Sequence, residues 1–110
     1  MSGQPKEATF QELVNGSTPV LVDFFTDWCE PCKMMVPILN ELKNRLGENI
    51  TIIKINAEKN ADATIRYQVR GVPTLILFQN GNVLWQRAGV VQVNELQKII
   101  TSNVEGTHHG

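Results

Sequence analysis

Cysteine is scarce in this chain: 110 residues hold two of them. Two are too few to staple a disulfide-dependent secreted scaffold, so the domain must hold itself together by an apolar core, and the cysteines are left free for chemistry. An excess of one charge is also missing. A formal net charge of −1 offers no electrostatic basis for binding nucleic acid or an anionic membrane surface. No apolar run approaches the ~20 residues that span a bilayer. The opening stretch MSGQPKEATF has no apolar signal core, which predicts a cytoplasmic protein, not an exported one. Histidine occurs only at 108 and 109, where the pair reads as an inert exposed end. No internal repeat or low-complexity block is visible. What is present is a hydrophobic content of 42% against 19% charged residues, which with this length fits one small globular domain. The polar, glycine-bearing ends predict flexible segments at 1–7 and 105–110 around a domain at 8–104.

Within that domain, ATFQELVNG reads as a short helix: Thr9 and Glu12 have capping-box spacing and Gly16 follows the end. Val20 to Thr26 is apolar on both alternating faces except at Asp23, the pattern of a strand covered on both sides. After Cys32, Met35, Ile38, Leu39, Leu42 and Leu46 recur at helical spacings, with Lys43, Asn44 and Arg45 on or near the opposite face and Gly47 as a stop. Pro37 removes one backbone donor, which predicts a kink there and not an end. Ile50 to Asn56 reads as a second buried strand, followed by a short helix over Asn60 to Gln68 with Asn60 as its cap. TLILFQNGNVLWQRAG reads as a hairpin turning at Asn80-Gly81, two residues that tolerate positive φ. A last helix runs from Val93 to Asn103, with Leu96, Ile99 and Ile100 apolar. The order α-β-α-β-α-β-β-α predicts an α/β domain: the first strands parallel through right-handed crossovers, the closing hairpin antiparallel, helices on both faces of the sheet.

Both cysteines lie in DFFTDWCEPCKMM, spaced C-x-x-C. Such a pair has three readings: a zinc half-site, two inert buried thiols, or a redox dithiol. A structural zinc site needs four ligands, and no further cysteine exists to supply them. Position favours the dithiol. The pair follows a strand and opens a long helix, so Cys29 falls where orphan N–H groups and the helix dipole favour an anion. Only a thiolate attacks a disulfide, which makes Cys29 the expected nucleophile and Cys32, one turn on and expected to be the more buried, the resolving thiol. Pro31 stiffens the turn at no cost in donors. Trp28 either shields the sulfurs, presents a flat apolar contact, or packs into the core.

WCEPCK, VLVDFF, RGVPT and the glycine of RAG together resemble the thioredoxin family, in register from about Ala8 to Asn103. The resemblance implies the thioredoxin fold, with a central mixed sheet of four or five strands, and a thioredoxin-type protein-disulfide reductase. It implies a cis peptide at Val72-Pro73 lying against the sulfurs. It implies an apolar docking surface of Gly71, Val72, Pro73, Gly89 and Val90 with Trp28 and Pro31, to which an extended substrate segment adds as a strand. It matches Asp23 to a buried aspartate beneath Cys32, with a raised pKa suited to exchanging a proton with that thiol. Lys54 matches a lysine near that aspartate, against the plain alternative of a snorkelling surface side chain. The implied partners are protein disulfides and a thioredoxin reductase-like electron donor. The implied redox group is the Cys29-Cys32 disulfide itself, with no bound cofactor or metal, in a monomer.

Three features depart from the family pattern. Glu30 stands where most members have glycine; its charge opposes the Cys29 thiolate and predicts a more reducing couple, or else it selects which partner docks. MSGQPKE lacks the alternation of the family's usual first strand. Phe25 replaces an additional tryptophan found in many members. An alternative function in another class remains open: a thioredoxin-fold binding module within a complex, with little general reductase activity.

Overall fold

A computed structural model describes residues 9–104. Helix α1 (Phe10–Asn15) begins at a closed capping box: Glu12 N–H donates to Thr9 Oγ1 and Thr9 N–H donates to Glu12 Oε1, each at 3.0 Å. Strand β1 (Val20–Phe25), helix α2 (Glu30–Leu46), strand β2 (Thr51–Asn56), helix α3 (Ala61–Arg66), strands β3 (Thr74–Gln79) and β4 (Asn82–Ala88) and helix α4 (Val93–Asn103) follow in the predicted order. Among the described residues the sheet has four strands in the order β2-β1-β3-β4. β1 runs parallel to β2 and antiparallel to β3, and β3 is antiparallel to β4. The predicted flexible ends, and the question of a fifth strand ahead of Ala8, lie outside the described residues.

Strand alternation divides the core in two. Leu21 of β1 and Leu75 and Leu77 of β3 face Met35, Leu39 and Leu42 of α2 and Leu96 and Ile100 of α4. Val20, Val22 and Phe24 of β1 face the other way, with Ile76 and Phe78, against Val14 and Val69. A period of two therefore sends Asp23 to the same face as Leu21, the α2 side. Phe10, Tyr67 and Phe78 pack edge to face with ring centroids 5.2–6.2 Å apart. The hairpin turns where expected, with Asn80 at φ 54° and Gly81 at φ 81°. Asn80 N–H and Gly81 N–H donate to the carbonyls of Gly16 and Val14, which fastens the turn to the end of α1. Helix α2 runs through Pro37 without ending there, since one lost donor removes a single bond from a helix otherwise held by its buried face.

Two expectations need correction. Among the described residues β2 stands at the end of the sheet, and it is half-buried along its length with Lys54 exposed; its isoleucines carry the apolar pattern of a covered strand, but the extent of that cover was invisible to periodicity. α3 is shorter than predicted, and Asn60 makes no side-chain cap bond. The local cap belongs to Asn56, whose Oδ1 accepts from Glu58 N–H and Lys59 N–H at 2.9 and 3.2 Å in the 3₁₀ turn Ala57–Lys59, while Asn60 Nδ2 donates to the Asn56 carbonyl.

Candidate active site

The carboxyl end of β1 delivers the chain to the first turn of α2, and both cysteines fall at that junction. Cys29 is the N-cap, in extended conformation (φ −89°, ψ 112°), and its Sγ accepts the backbone N–H of Cys32 at 3.1 Å. A sulfur therefore takes the place usually held by a capping oxygen, directly in front of the orphan donors of the helix. Cys29 and Cys32 are disulfide-bonded, with Cα atoms 5.2 Å apart. On reduction, the N–H and the helix dipole favour the charged form of Cys29 over that of a thiol deeper in the helix. Cys32 is not the more buried of the two, contrary to expectation: it is 5% exposed and Cys29 3%. The turn that carries Cys29 N–H back to the Thr26 carbonyl at 3.4 Å tucks the N-cap residue in, whereas Cys32 borders a recess.

That recess, about 250 Å³ in volume, is lined by Asp23, Thr26, Asp27, Cys32, Lys33 and Lys54. Asp23 is 2% exposed, and burial raises its pKa from 3.8 to about 6 against the opposing pull of the Lys54 ammonium. Lys54 is the register partner of Asp23 across β1 and β2. Its side chain is exposed. Two buried oxygens here have no hydrogen-bond partner among the described residues, Asp23 Oδ1 and Thr26 Oγ1.

On the outer side, Trp28 is 66% exposed, which excludes a core-packing role. Its Nε1–H donates to Glu58 Oε2 at 2.8 Å, holding the indole over a second recess of about 280 Å³ shared with Val69, Arg70, Gly71 and Val72. The Val72-Pro73 peptide is cis. The register that sets Thr74 beside Phe24 brings Pro73 to the end of β1, and Gly89 N–H donates to the Pro73 carbonyl at 2.8 Å. Gly89 sits at φ 101°, where a side chain would be strained. Val90 is half-buried against the α2–α4 core. Pro31 and Glu30 are exposed on the first turn of α2, and Glu30 pairs with Lys33 at 3.2 Å.

Sequence reasoning missed Thr26, Lys33 and Glu58. A hydroxyl directly after an apolar strand was a usable signal for Thr26. Glu58 lies thirty positions from its indole partner, and nothing local announces that contact. Among the described residues no group of three or more His, Cys, Asp or Glu side chains could hold a metal ion, and no helix is long and apolar enough to cross a membrane.

Comparison with known proteins gives a consistent result. The family model described as Thioredoxin matches residues 3–102. The chain is 42% identical over 99 residues to "Thioredoxin Y, chloroplastic" of Oryza sativa, covering 89% of this chain and 59% of that longer protein. It is 36% identical over 99 residues to "Thioredoxin" of Pseudomonas aeruginosa, covering 89% of this chain and 92% of that one. Among solved structures, a single-site mutant of the thioredoxin from Halobacterium salinarum superimposes with a TM-score of 0.80 at 31% identity, over 96% of this chain and 89% of that one.

Proposed function

The chain belongs to the thioredoxin family and is a thiol–disulfide oxidoreductase, and from this we propose that it reduces protein disulfides through Cys29 as attacking thiolate and Cys32 as resolving thiol. The observation that carries these roles is the Cys32 N–H aimed at Cys29 Sγ at the start of α2. The Cys29 thiolate attacks one sulfur of the substrate disulfide; a mixed disulfide forms and the first substrate thiolate leaves. Cys32 then loses its proton and attacks Cys29 Sγ. The Cys29–Cys32 bond forms, the second substrate thiolate departs, and the enzyme dithiol is oxidised by two electrons.

Asp23 is the group that takes the Cys32 proton. Burial has brought its pKa near neutrality, where a carboxylate is both ionised and basic enough for the task. Lys54 tempers that rise from the next strand. An extended substrate segment lies along the recess between Trp28 and Gly71-Val72, reaching toward Pro73, Gly89 and Val90, with Pro31 and Glu30 on the opposite rim. The dithiol is itself the redox group, with no bound cofactor. A thioredoxin reductase-like donor returns the electrons, and the protein works as a cytoplasmic monomer.

Insulin-disulfide reduction driven by a supplied dithiol tests this reading. The wild type precipitates insulin, and Cys29→Ser loses about 10³-fold or more of that rate. A wild type with no activity overturns the reading in favour of a binding module.

A further inference from the structure

The chain has four arginines, and three of them are held by a neighbour. Arg45 Nε pairs with Glu41 at 3.1 Å, and its Nη1 donates to Asn94 and Gln97. Arg87 pairs with Glu95 at 2.9 Å and lies over the Trp85 ring. Arg66 lies over the Tyr67 ring, 5.6 Å from its centroid. Arg70 is exposed, and among the described residues it makes no ion pair, side-chain hydrogen bond or ring contact. Yet it borders the recess of about 280 Å³ that Trp28 shares with Gly71 and Val72. Two charged side chains line that recess, Arg70 and Glu58. Glu58 is engaged: its Oε2 accepts Trp28 Nε1–H at 2.8 Å, and its own backbone N–H donates to Asn56 Oδ1 at 2.9 Å. The rest of the lining is neutral. Whatever enters the recess therefore meets one uncompensated positive charge.

We propose that Arg70 is a specificity-determining residue: it selects disulfide substrates whose extended segment carries an aspartate or glutamate two to four residues from the attacked cysteine, on one flank only. A guanidinium offers five donors in a planar fork that matches a carboxylate at two points. The spacing comes from the backbone. Only Gly71 and Val72 separate Arg70 from Pro73, and an extended chain advances about 3.3 Å per residue, so Arg70 stands at most roughly 10 Å along the chain from Pro73. A substrate segment lying against this stretch, with its cysteine at the Pro73 end, brings a residue two to four positions away beside Arg70. It leaves the cysteine in one direction along the recess, so the acid belongs to one flank and not the other. Docking strengthens the pair, because the segment displaces water between Trp28 and Gly71-Val72 and a less hydrated charge pair is less screened. Glu30, on the first turn of α2, is already paired with Lys33 at 3.2 Å and does not cancel the selection. Arg70 acts on binding and takes no part in the exchange of sulfur bonds. The inference rests on the reductase reading given above, and its test separates the two.

The test uses synthetic peptides whose single cysteine carries a chromogenic aryl thiol as a mixed disulfide. The Cys29 thiolate bonds to the peptide sulfur, the aryl thiolate leaves with the electron pair of the broken bond, and its absorbance gives the rate. Glutamate is compared with glutamine at each of the four positions on either side of the cysteine. In the reduced wild type the glutamate peptide reacts about fivefold faster at limiting concentration, two to four residues away on one flank. The saturating rates are equal, as for an interaction made alike in the bound and transition states, and the preference shrinks at high salt. In Arg70→Gln the ratio falls to about one. In Arg70→Lys it is intermediate, and Arg70→Glu prefers lysine in place of glutamate. No glutamate preference in the wild type, an equal preference on both flanks, or one that survives in Arg70→Gln overturns the inference. Unreactive peptides with serine for the cysteine, read by the shift of the Arg70 Nε–H resonance on binding, distinguish the two failures. Thiol release no faster than from a free dithiol, with a glutamate-dependent shift, sinks the reductase reading alone. Fast release with neither preference nor shift sinks the selection by Arg70 alone.

Discussion

Asp23 and Glu30 stand near one disulfide in contrasting surroundings, Asp23 at 2% exposure in the recess that Cys32 borders and Glu30 on the first turn of α2 with 82% of its side chain in solvent. Both are carboxylates within a few residues of a redox sulfur, yet the inner one is governed by desolvation and the outer one by screening. A buried charge is felt at nearly its full strength because little water answers it. An exposed charge three residues from a lysine is paired, hydrated and screened. The same division applies to hydrogen bonds. The buried orphan oxygens of Asp23 and Thr26 demand partners, whereas the exposed Trp28–Glu58 bond competes with water on equal terms. On the proposed function, chemistry concentrates on the inner side and recognition on the outer.

Asp23→Asn presses hardest on that contrast. The folded chain holds the Asp23 proton more tightly than the unfolded chain does, with a pKa of about 6 against 3.8. Between about pH 4 and 6 the folded state binds more protons, so stability falls as pH rises through that window: the contribution is fully present below about pH 4 and is lost above about 6. At pH 8 the asparagine variant should be more stable by up to roughly 3 kcal/mol, at about 1.4 kcal/mol per pH unit, and the gain should vanish near pH 4. Its resolving step should slow about 10²-fold at pH 7. Urea melts at pH 4 and 8 with single-turnover kinetics check both; equal gains at the two pH values would show that the inner carboxylate feels no desolvation.

Glu58→Gln probes the rim at intermediate strength. The indole loses a charged acceptor but keeps a neutral one, so the change should be mild: about a threefold rise in KM for insulin with kcat unchanged. In a Trp85→Phe background, Trp28 fluorescence reports the loosened ring directly. A fall in kcat with KM unchanged would place Glu58 in the chemistry and blur the division between the two sides.

Glu30→Gly should do least. Lys33 already offsets the Glu30 charge at 3.2 Å, so the redox potential should move by less than about 10 mV, upward, and less still at high salt. Equilibration against glutathione measures it. A rise of about 30 mV, the equivalent of one pH unit in the Cys29 pKa, would mean that the rim charge reaches the sulfur unscreened and that the contrast between Asp23 and Glu30 is overstated.

Much of this was readable along the chain. The capping box at Thr9 and Glu12, the Asn80-Gly81 turn and the bounds of α4 depend on neighbours within a few positions, and local chemistry suffices for them. Cys29 at the N-cap was legible for the same reason: strand, C-x-x-C and helix follow one another without a gap. Asn60 does stand at the N-cap of α3 but makes no side-chain cap bond, because its amide is turned back to donate to the Asn56 carbonyl. The half-burial of β2 could not be read at all, since a strand's isoleucines look alike whether its faces are fully or partly covered.

By itself the sequence determined which segments are helix and strand, that two thiols sit at a helix start, and that one carboxylate interrupts an apolar strand. Those follow from periodicity and from the chemistry of adjacent residues. Tertiary structure alone decided that Asp23 shares its recess with Thr26, Lys54 and Cys32, that Glu58 grips Trp28, and that Cys29 is as sheltered as Cys32. Each of these depends on which strands pair and in what register, and so on contacts between residues far apart in the chain, which no local pattern encodes.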